Sequence, residues 1–489
     1  MTDALIVTQL PLWSFALDPQ NQREKQSDLH TAWQQREHLP AFMRECATLR
    51  RCLELLAPLD WAQLPERQPQ PHWPHPPTPY HAFLAAMLIK LNEGLHSFGN
   101  LHQFLREHDA FIALLGFRLH LDPTQPHGFD PLRSLPSARH FTVLLRQLPQ
   151  AMTQWLLADS VRVILAELRA RQLAPPQCIS LDTKHILAWV QENNPKAYVS
   201  ERFNKTKQPR GDPDCKLGCK RRHNQSTPTR NPRPAQSLAV GEFYWGYASG
   251  VVVSKVPNYG EFVLAELTQT FDHGDTTYFF PLLRQAEQRL GYRPRFGTFD
   301  AAFDAWYVYA HFYRADDPSG GYALVPFSEK GGYKITERQF TADGLPICQA
   351  GLAMPLKFTF TDRTNNIIAH ERGKYVCPLL FPTQRARTCP IHHPHWKKGG
   401  CTALMPTSIG ARLRYTLDRE SDEYKALYKQ RTAVERINSQ AVALGIERPH
   451  LRNGAAIANQ NTLIYILINL RFLQRLRAGH REAVATLQP

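Results

Sequence analysis

Acidic residues are scarce in this 489-residue chain: 43 Asp and Glu stand against 58 Lys and Arg, a formal net charge of +15. That deficit favours a polyanionic partner such as nucleic acid over an acidic small molecule. Long apolar runs are also missing. The most strongly apolar stretch, LIYILINL at residues 463–470, is far short of the roughly 18 residues a membrane span needs. The first residues, MTDALIVTQLPLWSFAL, contain Asp3 and no basic n-region, so they do not read as a secretory signal. None of the nine cysteines of the chain forms a short C-x2-C pair, and an odd number without export signals suggests reduced thiols. No internal repeat is present. Together these absences point to a cytoplasmic protein with no membrane partner.

With 43% hydrophobic residues, the chain can bury a sizeable core. Its length allows about three domains, or one with large additions. The charge is uneven: residues 196–235 hold eleven Lys and Arg against three Asp and Glu. Pro, Gly and Asn are frequent in the same segment, which predicts a long extended basic loop. Upstream, residues 29–56 and 80–116 carry apolar residues at helical spacing, among them Phe83, Met87, Leu88 and Leu91. Between them PQPHWPHPPTP excludes a regular helix. Ser137 is placed to cap a further helix.

From Gln177 the period changes. CISLDTKHILAW, FYWGYASGVVVS and EFVLAELT read as strands, YFFPLLRQAEQRL as a helix, PRFGTFDAAF as a strand, AWYVYAHFYRA as a helix and YALVPFS as a strand. Three strands, helix, strand, helix, strand predict an α/β core with a mixed sheet. Short pieces broken by Gly and Pro follow to about residue 417, and helical pattern returns from Asp418 to Arg477. The helix around residues 463–477 is apolar at first and then basic at Arg471, Arg475 and Arg477. Its start should be buried on the sheet, and its end suits a helix C-terminus or DNA.

Three acids occupy informative places. Asp182 lies inside the first strand, where an ionised carboxylate is costly unless compensated. Asp300 ends the strand PRFGTFD, and Glu435 lies in the late helix, in YKQRTAVERIN. Asp304, just before AWYVYAHF, is better explained as that helix's N-cap. Glu423 and Glu447 read as solvated-face acids. Carboxylates converging from two strands and a helix repel one another unless a divalent cation neutralises them. Two hard cations held this way are the usual apparatus for displacement at phosphorus.

SLDTK, GTFDAAFDAWY and YKQRTAVERIN together resemble the ribonuclease-H-like core of the DDE transposases of bacterial insertion sequences. Tyr428-x2-Arg431-x3-Glu435 is similar to the tyrosine, arginine and glutamate signature of one branch of that family. Its final lysine is here Val442, and neither Arg436 nor Lys429 replaces it at the right spacing. The resemblance covers roughly residues 80–475, including HSFGNLHQFLREHDAFIALLGF and LPSARHF, which are similar to the helical end-binding region.

The resemblance implies a helical DNA-binding region over 1–175, the first part of the core over 176–330, a β-rich insertion over 331–417 and a helical completion over 418–489. It implies Asp182, Asp300 and Glu435 as catalytic ligands of two Mg2+ ions, with Mn2+ able to substitute. The reaction would cleave phosphodiesters at terminal inverted repeats and join the freed 3'-hydroxyl to target DNA. A homodimer on paired ends, near the bacterial nucleoid, would carry it out. A catalytically inactive end-binding repressor and a structure-specific nuclease on the same core are the rival readings.

Arg431 reads equally as a phosphate clamp or a salt-bridge residue, and Tyr428 as core packing more readily than as a phosphate donor. Lys184, Lys216, Lys220, Arg221 and Arg222 are candidates for the DNA backbone. Trp396 is a candidate to stack on a displaced base, as an insertion aromatic does in hairpin-forming relatives. Cys348, Cys377, Cys389 and Cys401 are separated by 28, 11 and 11 residues, with His392, His393 and His395 nearby. Separate buried thiols are the preferred expectation and a structural Zn2+ site is the alternative.

Overall fold

The computed structural model describes residues 28–67, 77–219, 243–315, 320–328, 338–363, 368–386 and 388–485. A mixed sheet organises them. β1 (Cys178–Leu187) pairs antiparallel with β3 (Phe243–Val256), which pairs antiparallel with β4 (Gly260–Thr270). On the other side of β1 lie β5 (Phe296–Thr298) and then β6 (Tyr322–Leu324), both parallel. β2 (Lys216–Cys219), not foreseen as a strand, continues the β4 edge by pairing with the start of β3. The expected α/β class with a mixed sheet is what the chain adopts.

Burial on both faces explains the sequence pattern. In β3, Tyr244, Ala248, Val252 and Val256 point to one core, while Trp245, Tyr247, Val251 and Val253 point to the other. A strand with apolar side chains on both faces reads as a continuous run. One face is covered by helices α6 (Gln150–Ala170), α7 (Phe279–Leu290) and α8 (Trp306–Phe312). α7 ends at Gly291, whose φ of +79° suits a residue without Cβ.

The opposite face is covered by α11 (Thr432–Ala443), by α12 (Gly454–Ala485) and by the N-terminal helices. The latter include α1 (Asp28–Gln34), α2 (Ala47–Leu56), α3 (Tyr80–Asn92), α4 (Phe98–Glu107) and α5 (Ala138–Gln147), the last capped by Ser137 as expected. They share one continuous core with β1, β3 and α12, so the helical N-terminal region is no detached arm. α12 is buried along residues 463–470 because it runs between that region and the sheet. Its basic end is engaged internally: Arg471 donates to the Asn92 side chain at 3.0 Å, and Arg477 to Glu167 at 3.0 Å.

The basic loop is less free than its composition predicts. Residues 191–215 are tied to the sheet: the Trp245 indole donates to the Arg202 carbonyl at 2.7 Å, and Tyr247 donates to buried Asp212 at 2.8 Å. Asp214 accepts from Asn453 and from the first N–H of α12. The acids in the segment thus anchor it. Lys220, Arg221 and Arg222 lie outside the described residues, as does most of the segment PQPHWPHPPTP.

After β6 comes a β-rich lobe. The hairpin β7 (Gln339–Phe340) and β8 (Pro346–Ile347) precedes an antiparallel sheet of β9 (Leu356–Asp362), β10 (His370–Val376) and β11 (Thr402–Pro406). α9 (Ile409–Thr416) leads back to the core, followed by α10 (Asp422–Tyr428). Among the described residues no helix is long and apolar enough to cross a membrane.

Candidate active site

Strand register sets two of the predicted acids side by side. Ser180 is the partner of Thr298 in the parallel β1–β5 ladder. Two residues further along each chain stand Asp182 and Asp300, so they share a level at about one strand spacing, ~5 Å between backbones. The strands are locked below them: the Ser180 and Thr298 hydroxyls are 2.6 Å apart, and Ser180 also donates to the Gln430 carbonyl at 3.2 Å. Tyr428 donates to the Phe299 carbonyl at 3.4 Å. These bonds dock the Tyr428–Glu435 segment over the first half of β1 and the end of β5.

Burial dominates the electrostatics. It pushes the Asp182 carboxyl up to about 6, against the Thr183 N–H and Arg431, while Asp300 and Asp275 push the same way. Asp300 is raised by burial first, against the Ala302 N–H, with Asp275 adding to the rise. The Tyr428 phenol is raised by burial, against Arg431, and further by Asp300, Glu435 and Asp182. One phenol therefore feels all three predicted acids.

The segment carrying Tyr428, Arg431 and Glu435 is not one regular helix. α10 ends at Tyr428, a 3-10 turn spans Lys429–Arg431, and α11 begins at Thr432. Arg431 bonds Glu435 at 2.6 Å, and its Nε is buried without a hydrogen-bond partner. Glu435 is 54% exposed and drawn to that arginine rather than to the aspartates. From the next turn Asn438 donates to Asp182 Oδ2 at 3.1 Å. Arg436 is committed elsewhere, to Glu261 at 2.5 Å, and Val442 is exposed.

Asp275 was not foreseen. It opens the turn before α7 and accepts from the Thr183 hydroxyl at 2.7 Å. The sequence signal for it, an acid just before a helix opposite the first strand, is indistinguishable from an ordinary turn acid.

Asp304 is not the N-cap of α8, which Ala305 occupies without a side-chain bond. Its carboxylate is fully buried and takes a two-point bond from Arg414 at 2.7 and 2.6 Å, plus bonds from Tyr309 and Ser328. It is Asp300 that caps the turn Ala301–Phe303, by accepting from the Ala302 N–H. Glu447 is no purely solvated acid, since Lys184 pairs with it at 2.5 Å, and Glu423 accepts from Tyr322. Lys216 is exposed and donates to Gln208. Trp396 belongs to the β-rich lobe, where it shares the wall of a small void with Cys348, Cys377, Cys389 and Cys401.

Among the described residues no group of three or more His, Cys, Asp or Glu is already arranged to hold a metal ion. The arrangement thus consists of two aspartates in register, a third beside them, an arginine with a vacant donor and a glutamate at the rim. No protein-family model and no curated protein matches the chain.

Proposed function

We propose that the chain is a DNA transposase of the DDE type, acting on transposon ends through a ribonuclease-H-like core. The observation that carries the reading is Asp182, inside β1, and Asp300, just past the end of β5, each two residues beyond the Ser180–Thr298 pair of the parallel ladder and beneath a segment bearing Tyr428, Arg431 and Glu435. Supporting it, the strand order runs from three antiparallel strands through a crossover helix to two parallel strands on the other side of the first.

Mg2+ suits this donor set. Two carboxylates raised by burial and by neighbouring aspartates, Asp275 acting on both, gain most from a hard divalent cation. Asp182 and Asp300 would hold it, with Asp275 beside them and Glu435 available once released from Arg431. When bound, such ions activate a water or 3'-hydroxyl and stabilise the leaving oxygen.

The remaining work belongs to side chains. Asn438 fixes the Asp182 carboxylate. Arg431 offers its unpartnered Nε to a phosphate oxygen, a contact its planar fork is suited to make. Lys184 and Lys216 contribute sequence-independent attraction to the DNA backbone.

The test uses labelled duplexes carrying the inverted repeats that flank the coding region, incubated with the chain and Mg2+. Cleavage and strand joining are expected, with loss of at least about 1,000-fold in Asp182→Ala and Asp300→Ala. Glu435→Ala should fall similarly. Cleavage that persists in all three variants refutes the reading. The Arg431–Glu435 ion pair favours one rival, an end-binding protein without catalysis, and that rival predicts specific binding without product at any metal concentration.

A further inference from the structure

The lobe at residues 338–408 raises a separate question, because it has little to hold it together. Its core consists of Cys348, Met354, Tyr375, Ala403 and Met405. A unit that buries so few side chains ordinarily needs a covalent or metal staple.

Its four cysteines are gathered. Cys377 directly follows β10 and Cys401 directly precedes β11, and the last pair of that ladder is Val376 with Thr402. The two cysteines therefore face each other just beyond the ladder, and the nearby Cys377 and Cys348 add to the burial that raises the Cys401 thiol. Gly400, at φ +75°, packs against Cys377 so closely that a Cβ there would stand 3.2 Å from its Sγ. Cys348 follows β8 across from this pair, and Cys389 approaches from the intervening loop. All four line one void of about 10 Å³, with Trp396 and His393 on its wall. That is room for a single small occupant.

Three of the four cysteines also start a tight turn. The carbonyls of Cys348, Cys377 and Cys389 accept from the N–H groups of Gly351, Leu380 and His392, three residues on, at 2.9, 3.2 and 3.0 Å. Gly351 and His392 have φ of +78° and +50°. Each of these turns folds the backbone back at its cysteine. The missing short cysteine pair in the sequence is thus compensated by three separate turns and the start of β11 brought together.

We propose that Cys348, Cys377, Cys389 and Cys401 form a tetrathiolate site for one structural Zn2+ ion that staples this lobe. Four sulfurs match the closed tetrahedral shell of structural zinc, with each thiol giving up its proton on binding. The thiols now surround the void without converging on its centre, so binding closes them to about 2.3 Å from the ion.

The full chain, purified without chelator, should contain about one zinc per molecule by elemental mass spectrometry. Replacement by Co2+ should give the intense thiolate charge-transfer and tetrahedral ligand-field bands of a cobalt tetrathiolate. Cys389→Ser and Cys401→Ser should lose the metal, whereas Cys46→Ser and Asp182→Asn should keep it. The last comparison separates this site from the proposed Mg2+ site, so either can fail alone. Should a serine variant not fold, the cobalt spectrum of the unaltered chain decides: thiolate bands support the site and their absence overturns it. Two disulfides among these cysteines, or zinc retained in both serine variants, also overturn it.

Discussion

The mixed sheet and the cysteine lobe solve the same problem by different means. The sheet is covered on both faces, and even its buried charges are compensated. Glu266, fully buried in β4, accepts from Ser249, Thr268, Gln154 and Thr462, and burial raises its pKa against those bonds. The lobe leaves Phe358 and Leu404, both level with Lys374, exposed on one face of its three-stranded sheet. Burial supplies most of the free energy of folding, at roughly 25 cal/mol per Å² of apolar surface. A region that cannot bury enough must be held otherwise, which is the physical case for metal in one part and its dispensability in the other.

The largest test of this contrast is Arg414→Ala. It strands a fully buried Asp304 carboxylate at the junction where α9 returns from the lobe, at a cost of about 3–5 kcal/mol in urea unfolding. The double variant with Asp304→Asn should recover part of that loss.

Next come two phenylalanines. Phe262→Ala, fully buried in β4, should cost about 3–5 kcal/mol. Phe358→Ala, 47% exposed on the lobe, should cost no more than about 0.5 kcal/mol. Equal losses would mean that the lobe has a core comparable to that of the sheet.

A smaller effect concerns Asp182, whose folded pKa lies at about 6, above its ordinary value. Between those values the folded state binds more protons than the unfolded one. Its contribution to stability is therefore fully present below about pH 4 and is lost as pH rises through 6. Asp182→Asn should stabilise the metal-free chain at pH 7 by about 1–2 kcal/mol and leave it little changed at pH 4, as read from thermal unfolding. Mg2+ should raise the melting temperature of the unaltered chain and not of the variant. The smallest effect belongs to Lys184→Ala, whose partly exposed pairing with Glu447 is worth about 0–1 kcal/mol.

Much of the scaffold was legible because it follows local rules. Apolar runs in β1, β3 and β4, the Ser137 cap and the helical periods all translate directly into elements. Asp182 stood out as a charge within a strand, and Asp300 as an acid at a strand end.

The misreadings share one origin, since each depended on a partner far away in sequence. Asp304 has the sequence setting of a helix cap, but its actual partner, Arg414, lies 110 residues on. Asp275 resembles any turn acid until Thr183 is brought against it. The basic loop reads as solvated because its anchors, Trp245, Tyr247 and Asn453, belong to other elements.

Periodicity, charge and turn chemistry act over a few residues, and so the sequence by itself determined the α/β class, the order of elements, the excess of positive charge and two of the candidate acids. Tertiary structure alone decided which carboxylates share a site, which arginine keeps a donor free, and that four cysteines separated by 28, 11 and 11 residues meet at one void. The physical reason is that register and packing bring distant groups within a few ångströms, where charge and coordination first become strong enough to matter.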